Sequence, residues 1–291
     1  MLLGPNVIHG YGLNVKLNGT SSNLMLDTGA SGITIDRKIA ENAKIKRIED
    51  RKISGIGDKG DSAGYVGVAD SVKIGDLEFQ DCYVDVIDKN SVIGDDGLIG
   101  ADVFAQYLVE LNFSDQKFKL LELPPRPEQA ASSTAAGSSA ASGQQFYNRY
   151  VAPEMKSYTP VARFGHQLLV RTQVNNGATR LFLLDTGSAL NTISPAAAKD
   201  VTKVSGDQTI RMKGLSGEVK NVFSGDEVTL TFGSLRQRNL DIVAFDTSAL
   251  SNSIGTEVSG ILGFAMLRML DLKIDYRDGL VEFNFDNKRW R

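Results

Sequence analysis

Short runs rich in Val, Ile, Phe and Tyr, cut at close intervals by Gly, Asp and Asn, dominate the hydrophobic pattern of the chain. "AGYVGVADSVKIGDLEFQDCYVDVID" from Ala63 and "EVTLTFGSLRQRNLDIVAFD" from Glu227 are the clearest examples. Such runs are too short and too often broken for helices, and their β-branched and aromatic content suits half-buried strands. Asn18-Gly19 and Asn176-Gly177 fall between apolar runs, the commonest signature of a tight hairpin. Helix signals are few. Asp36 stands before "RKIAENAK", and Ser194 stands before "PAAAKD" with proline in the first helical position, each placed to cap a short helix. The pattern predicts an all-β fold with minor helix.

The same text appears twice. "LMLDTGAS" (24–31) recurs as "LFLLDTGSA" (181–189), which places Asp27 and Asp185 158 residues apart. At nearly the same offset the Asn-Gly pairs, the helix caps and the runs "GLIGADVFAQYLVELNF" from Gly97 and "GILGFAMLRMLDLKIDY" from Gly260 fall into register. Between the copies lies "AASSTAAGSSAASG" (130–143), preceded by "PPRP" (124–127), a stretch without side chains to build a core. The predicted organisation is an N-terminal lobe over 1–123, a flexible connector over 124–147 and a homologous C-terminal lobe over 148–291, related by a pseudo-twofold axis.

Composition removes several function classes. The 291 residues are 42% hydrophobic, enough for a core in each half. With 32 basic and 35 acidic residues the net charge is -3, which offers no footprint for nucleic acid or an anionic membrane. No apolar stretch approaches the roughly 20 residues that span a bilayer. "MLLGPNVIHG" has neither the basic start nor the apolar centre of a signal peptide. An extracytoplasmic location, with the targeting segment absent from this chain, is the expectation. Cys82 has no partner for an internal disulfide and reads as a strand residue. His9 and His166, without HExxH or CxxC, predict neither a metal site nor the base of a serine or cysteine nucleophile. No cofactor is expected.

The duplicated acid is where chemistry concentrates. Each Asp ends an apolar strand and is followed by a glycine that permits a tight turn. A lone carboxylate there is costly. Two brought together share one proton, because like charges at contact distance do not both ionise. One then serves as base toward a water and the other as acid toward a carbonyl, the requirements for peptide-bond hydrolysis without metal or covalent intermediate.

These residues resemble the aspartic peptidases. The motif, followed by two apolar residues and glycine, occurs in both halves, as Leu98-Ile99-Gly100 and Ile261-Leu262-Gly263. The resemblance implies that Asp27 and Asp185 are catalytic, and that these apolar-apolar-Gly segments pass beneath the Asp-Thr-Gly loops and hold them. It implies that Thr28 and Thr186 bond across to the opposite lobe, with Gly29, Ala30, Gly187 and Ser188 completing the support. "RKISGIGDKG" (51–60) and "IRMKGLSGEV" (210–219) each resemble the glycine-tipped flap of retroviral-type peptidases. The tips are Ser54, Gly55, Ile56, Gly57 and Gly214, Leu215, Ser216, Gly217. Pepsin-like enzymes carry one main flap with a tyrosine near its tip, and neither hairpin has one. The chain is similar to two retropepsin-like units in tandem.

Two departures qualify the resemblance. The retroviral enzymes place Arg after the apolar-apolar-Gly segment, where this chain has Ala101 and Phe264, so their supporting salt bridge is not expected. The fourth motif position is Ala30 in one half and Ser188 in the other, and a serine hydroxyl there would favour the ionised carboxylate. The mixed pair predicts a pH optimum less acidic than that of pepsin. The expected partner is a peptide or protein substrate with hydrophobic side chains, bound as an extended strand beneath Ile56 and Leu215. A monomer with an intrachain Asp27–Asp185 pair is the first arrangement, and a homodimer pairing like with like is the second. An inactive peptide-binding module, or a structural domain that recruits a partner, are the other functions open to the same fold.

Overall fold

The computed structural model describes residues 4–5, 10–87, 96–127, 149–206 and 209–285. Residues 128–147 of the predicted connector, and His9, lie outside these. Strands dominate, and among the described residues no helix is long and apolar enough to cross a membrane.

In the first half, Tyr11–Leu17 pairs with Thr20–Asp27, which is followed in the sheet by Gly97–Gly100, Ile33–Asp36, Leu77–Ile87 and Ser62–Ile74. The last of these returns to the first through Val15 opposite Ile74 and Leu17 opposite Val72, which closes a barrel. The alternating burial of Tyr11–Leu17 puts Leu13, Val15 and Leu17 inside, as a period of two requires. The second half repeats the order with interruptions. Where the first half has the unbroken Ser62–Ile74 and Leu77–Ile87, the second has Val222–Gly225 with Val228–Phe232, and Leu235–Asn239 with Ile242–Phe245. The breaks fall at Asp226-Glu227 and Leu240-Asp241, polar or solvent-facing positions.

Both predicted helix starts are present. The Asp36 carboxylate accepts from the Ile39 amide ahead of Arg37–Asn42, and the Ser194 hydroxyl accepts from the Ala197 amide ahead of Pro195–Lys199. Asn18 and Gly19 form a two-residue hairpin at positive φ, with Leu17 facing Thr20. In the second half the expectation needs correcting. The last paired residues of that hairpin are Gln173 and Thr179, and the residue at positive φ is Asn175. The loop there is longer than two residues. The Asn175 side chain reaches out of it to the Thr229 amide and to the Val201 carbonyl.

The halves do not stand apart. Tyr107–Asn112 of the first pairs antiparallel with Asp271–Asp275 of the second, Val109 facing Ile274, in a five-stranded sheet that also holds Lys117–Glu122, Leu280–Asn284 and Thr159–Pro160. One apolar core runs through both barrels and this shared floor, from Leu13 and Val15 to Phe232 and Val281. In place of an arginine, Ala101 is buried, and the Phe264 ring meets Phe113 and Tyr11 at centroid distances of 5.4 and 5.5 Å. The halves therefore meet here through aromatic edges. Both sides of the connector are fastened to one turn. Arg126 and the Tyr150 amide reach the Asp278 carboxylate, and Arg277 donates to the Pro124 carbonyl.

Candidate active site

The parallel pairing of Thr20–Asp27 with Gly97–Gly100 sets Asp27 opposite Gly100, and that of Thr179–Leu184 with Gly260–Leu262 sets Leu184 opposite Leu262. Each apolar-apolar-Gly strand thus lies directly beside its Asp-Thr-Gly loop. Leu98 and Ile99, like Ile261 and Leu262, are buried. The Gly100 amide donates to Gly32 O at 2.6 Å, while the Gly263 amide donates to the Asn191 side chain at 2.8 Å.

The two loops meet at the boundary between the halves. The Thr28 hydroxyl donates to Leu184 O at 2.8 Å and accepts from the Thr186 amide at 3.0 Å. The Thr186 hydroxyl donates to Leu26 O at 2.8 Å and accepts from the Thr28 amide at 3.1 Å. Both threonines are buried, so water is not there to replace any of these bonds. Thr28→Val keeps the shape and strands Leu184 O and the Thr186 amide. We expect a loss of about 2–4 kcal/mol, counting two buried groups left unpaired. Urea unfolding of the full chain measures it, and adding Thr186→Val should cost less than the sum because the two side chains share one network.

The cross-lobe bonds bring the two carboxyls within hydrogen-bonding reach of each other. Asp27 Oδ1 accepts from the amides of Gly29 and Ala30 at 2.8 and 3.1 Å. Asp185 Oδ1 accepts from Gly187 and Ser188 at 2.8 and 3.0 Å. Each glycine makes room for the opposite acid. A β-carbon on Gly29 would lie 2.7 Å from Asp185 Cγ, and one on Gly187 would lie 2.4 Å from Asp27 Cγ. Burial raises the Asp27 pKa against its bond to Asp185, the two amides and the charge of His166, which all lower it. Burial and then the Asp27 charge hold Asp185 well above the usual carboxylate range. The pair keeps a proton to higher pH than two separate acids would.

Ser188 does not act as the sequence suggested. Its hydroxyl donates to Leu190 O at 3.3 Å, and only its amide reaches Asp185. The two carboxylates thus have matching partners, two amides each.

Several residues that sequence reasoning passed over support this centre. The Asp102 carboxylate holds the loop after Ala30, accepting from the Ser31 hydroxyl and the Gly32 amide, both at 2.8 Å. In the second half that work falls to Asn191. It receives the Gly263 amide and donates to Gln237 Oε1 at 2.6 Å and to Asn239 Oδ1 at 3.2 Å. No motif marks either one, because the halves solve the same problem with different side chains. His166, given no chemical role by the sequence, sits in the turn between Ala162–Phe164 and Gln167–Val174, close enough for its charge to act on Asp27. Among the described residues no three His, Cys, Asp or Glu side chains gather where they could hold a metal.

The glycine-tipped hairpins face each other. The tip of Lys46–Ile53 and its return strand carries Ser54 to Gly57, and Met212–Gly214 with Gly217–Val219 carries Leu215 and Ser216. Each apolar tip crosses over. Ile56 packs on the second half's cluster of Leu169, Leu183, Phe245 and Ile261, and Leu215 packs on the first half's Met25, Ile53, Ile87 and Leu98.

Two homologous β lobes, each delivering one Asp-Thr-Gly loop to a common centre, define the two-lobed acid-proteinase fold. The chain belongs to the aspartyl protease family, whose sequence model matches it twice, over residues 13–103 and 170–266. Among solved structures it is similar in fold to the aspartic proteinase from Irpex lacteus. The TM-score is 0.50 and the sequence identity 14%, over 96% of this chain and 94% of that one. Comparison with curated proteins gives no match.

Proposed function

We propose that the protein is an aspartic endopeptidase, working as a monomer through an intrachain pair of Asp27 and Asp185, with lobes 1–123 and 148–291 forming the two walls of one cleft. The observation that carries this reading is the approach of two desolvated carboxyls, one from each half, each backed by two amides. A pair that shares one proton has both a base and an acid in place. The ionised oxygen takes a proton from water as the water oxygen adds to the scissile carbonyl carbon. The acid gives its proton to the carbonyl oxygen. The newly protonated acid then gives its proton to the nitrogen while the other carboxylate takes a hydroxyl proton from the gem-diol, so that the C–N bond breaks and the pair again holds one proton. Burial raises both acids, and the proton at rest belongs to the pair as a unit. The two hairpins act as flaps that exclude water from the bound peptide. Substrates lie extended between flaps and floor, with apolar side chains near the scissile bond, where the walls are formed by clusters such as Met25, Ile53 and Leu98.

Neither Asp accepts a side-chain hydroxyl, and burial raises both pKa values. The acidic limb of the rate profile should therefore lie above the ordinary carboxylate range. Digestion of a mixed peptide library across pH, read by mass spectrometry, tests both statements. Internal cuts with a rate maximum well above pH 2 are expected. A maximum near pH 2 would refute the pH argument, and peptides retained uncut at every pH would favour a binding module of the same fold.

A further inference from the structure

We propose that the two hairpin tips form a latch that holds the cleft shut in the free protein, and that Ser216 is its key. Three of the bonds between the tips run through that residue. Its amide donates to Ile56 O at 3.0 Å, its carbonyl accepts from the Lys59 amide at 2.8 Å, and its hydroxyl accepts from the Gly55 amide at 3.0 Å. Ser216 is buried by these contacts although it stands at the turn of a two-stranded hairpin. The Asp58 amide donates to Glu218 O at 3.0 Å, and the Asp58 carboxylate accepts from the Lys220 amide at 2.7 Å. The Ser62 hydroxyl reaches Leu215 O at 3.4 Å.

The fit is steric as well as polar. A β-carbon on Gly55 would stand 2.6 Å from Leu215 Cβ, and one on Gly214 would stand 2.3 Å from Ile56 O. One tip is thus inserted into the other. The two are not equivalent, because Gly57 occupies in the first tip the place that Ser216 occupies in the second, and glycine has no hydroxyl to return. Backbone groups tied up in this way are the ones an extended peptide needs from a roof. A peptide reaches the floor only after Gly55, Ile56 and Ser216 have let go of each other. The consequence for turnover rests on the peptidase reading, whereas the latch itself does not.

Amide hydrogen exchange on the full chain without substrate tests it. In the parent, the amides of Gly55, Asp58, Lys59, Ser216 and Lys220 should exchange far more slowly than an open turn. Ser216→Ala removes one hydrogen bond and should speed exchange at Gly55 and its neighbours about fivefold, the equivalent of one ordinary hydrogen bond. Amides in Thr20–Asp27 should be unchanged, which separates unlatching from a loss of fold. Asp58→Ala, on the exposed side of the latch, should do the same at Lys220. Exchange of the parent tips at the rate of an unstructured chain would overturn the latch, as would unchanged rates in both variants. Association of a non-cleavable peptide with a hydroxyethylene group in place of its scissile amide should quicken by a similar factor in Ser216→Ala. Slow exchange in a parent that cuts no peptide would overturn the peptidase reading and leave the latch standing. Fast exchange in a parent that cuts would do the reverse.

Discussion

Asp27→Asn and Asp185→Asn, each made alone, are expected to reduce peptide cleavage by at least about a thousandfold, because each removes half of a single acid and base pair. Both acids lie at one centre within one chain, so neither half retains a complete set of groups. Asparagine keeps the size of the side chain and can still face the amides. The fold should therefore survive, and unfolding curves of both variants should stay close to the parent. The amide cannot take a proton from water, which is why the loss falls on the rate of bond cleavage and leaves peptide affinity largely intact. The measurement is single-turnover cleavage of one peptide by each variant at the pH of maximal parent rate. Retained activity in either single variant would mean that like acids pair between two chains. Equal and near-complete loss in both places one site in one monomer.

Gly187→Ala should be nearly as damaging although it touches no chemistry. The added β-carbon would sit 2.4 Å from Asp27 Cγ, closer than real carbon atoms approach, and what it meets is the short side chain of a half-buried acid held by two amides. Either Asp27 moves away from Asp185 or the Asp185 loop lifts off its amides. A displacement of about 1 Å in a positioned acid and base pair costs on the order of a hundredfold in rate. Overpacking should cost about 1–3 kcal/mol in stability as well. Gly29→Ala, whose β-carbon would meet Asp185 Cγ at 2.7 Å, is the matched control and should behave alike. The rate should fall further than the loss of stability explains, and comparison of activity at a temperature where both variants remain folded separates the two effects. Full activity in either variant would mean that the acids are not held as closely as these contacts require.

How much of this was legible in the sequence depends on how local the signal is. The strand runs, the caps at Asp36 and Ser194, and the repeat that pairs Asp27 with Asp185 are written in neighbouring residues or in recurrence, and the structure places them as read. The shared floor was not legible. Which strands meet Tyr107–Asn112 depends on how two barrels stand against each other, and Val109 carries no mark of its partner Ile274. Asp102 and Asn191 escaped because recurrence finds only what both halves keep, and these two do matching work with unmatched side chains. The Ser188 hydroxyl turned to Leu190 because a nearby carbonyl was open to it, a choice of rotamer that no motif encodes. The long loop at Asn175 likewise follows from the reach of its side chain to Thr229.

The difference between Gly57 and Ser216 at the roof has one more consequence. A peptide has a direction, from amino to carboxyl end, and a receptor with true twofold symmetry meets it identically either way round. This chain carries a hydroxyl on one side of its axis and bare backbone on the other, with Ala30 and Ser188 likewise unlike beneath it. The two ways of laying the same peptide in the groove then differ in free energy. Two unlike halves joined in one chain thus give the two ends of a bound peptide different surroundings.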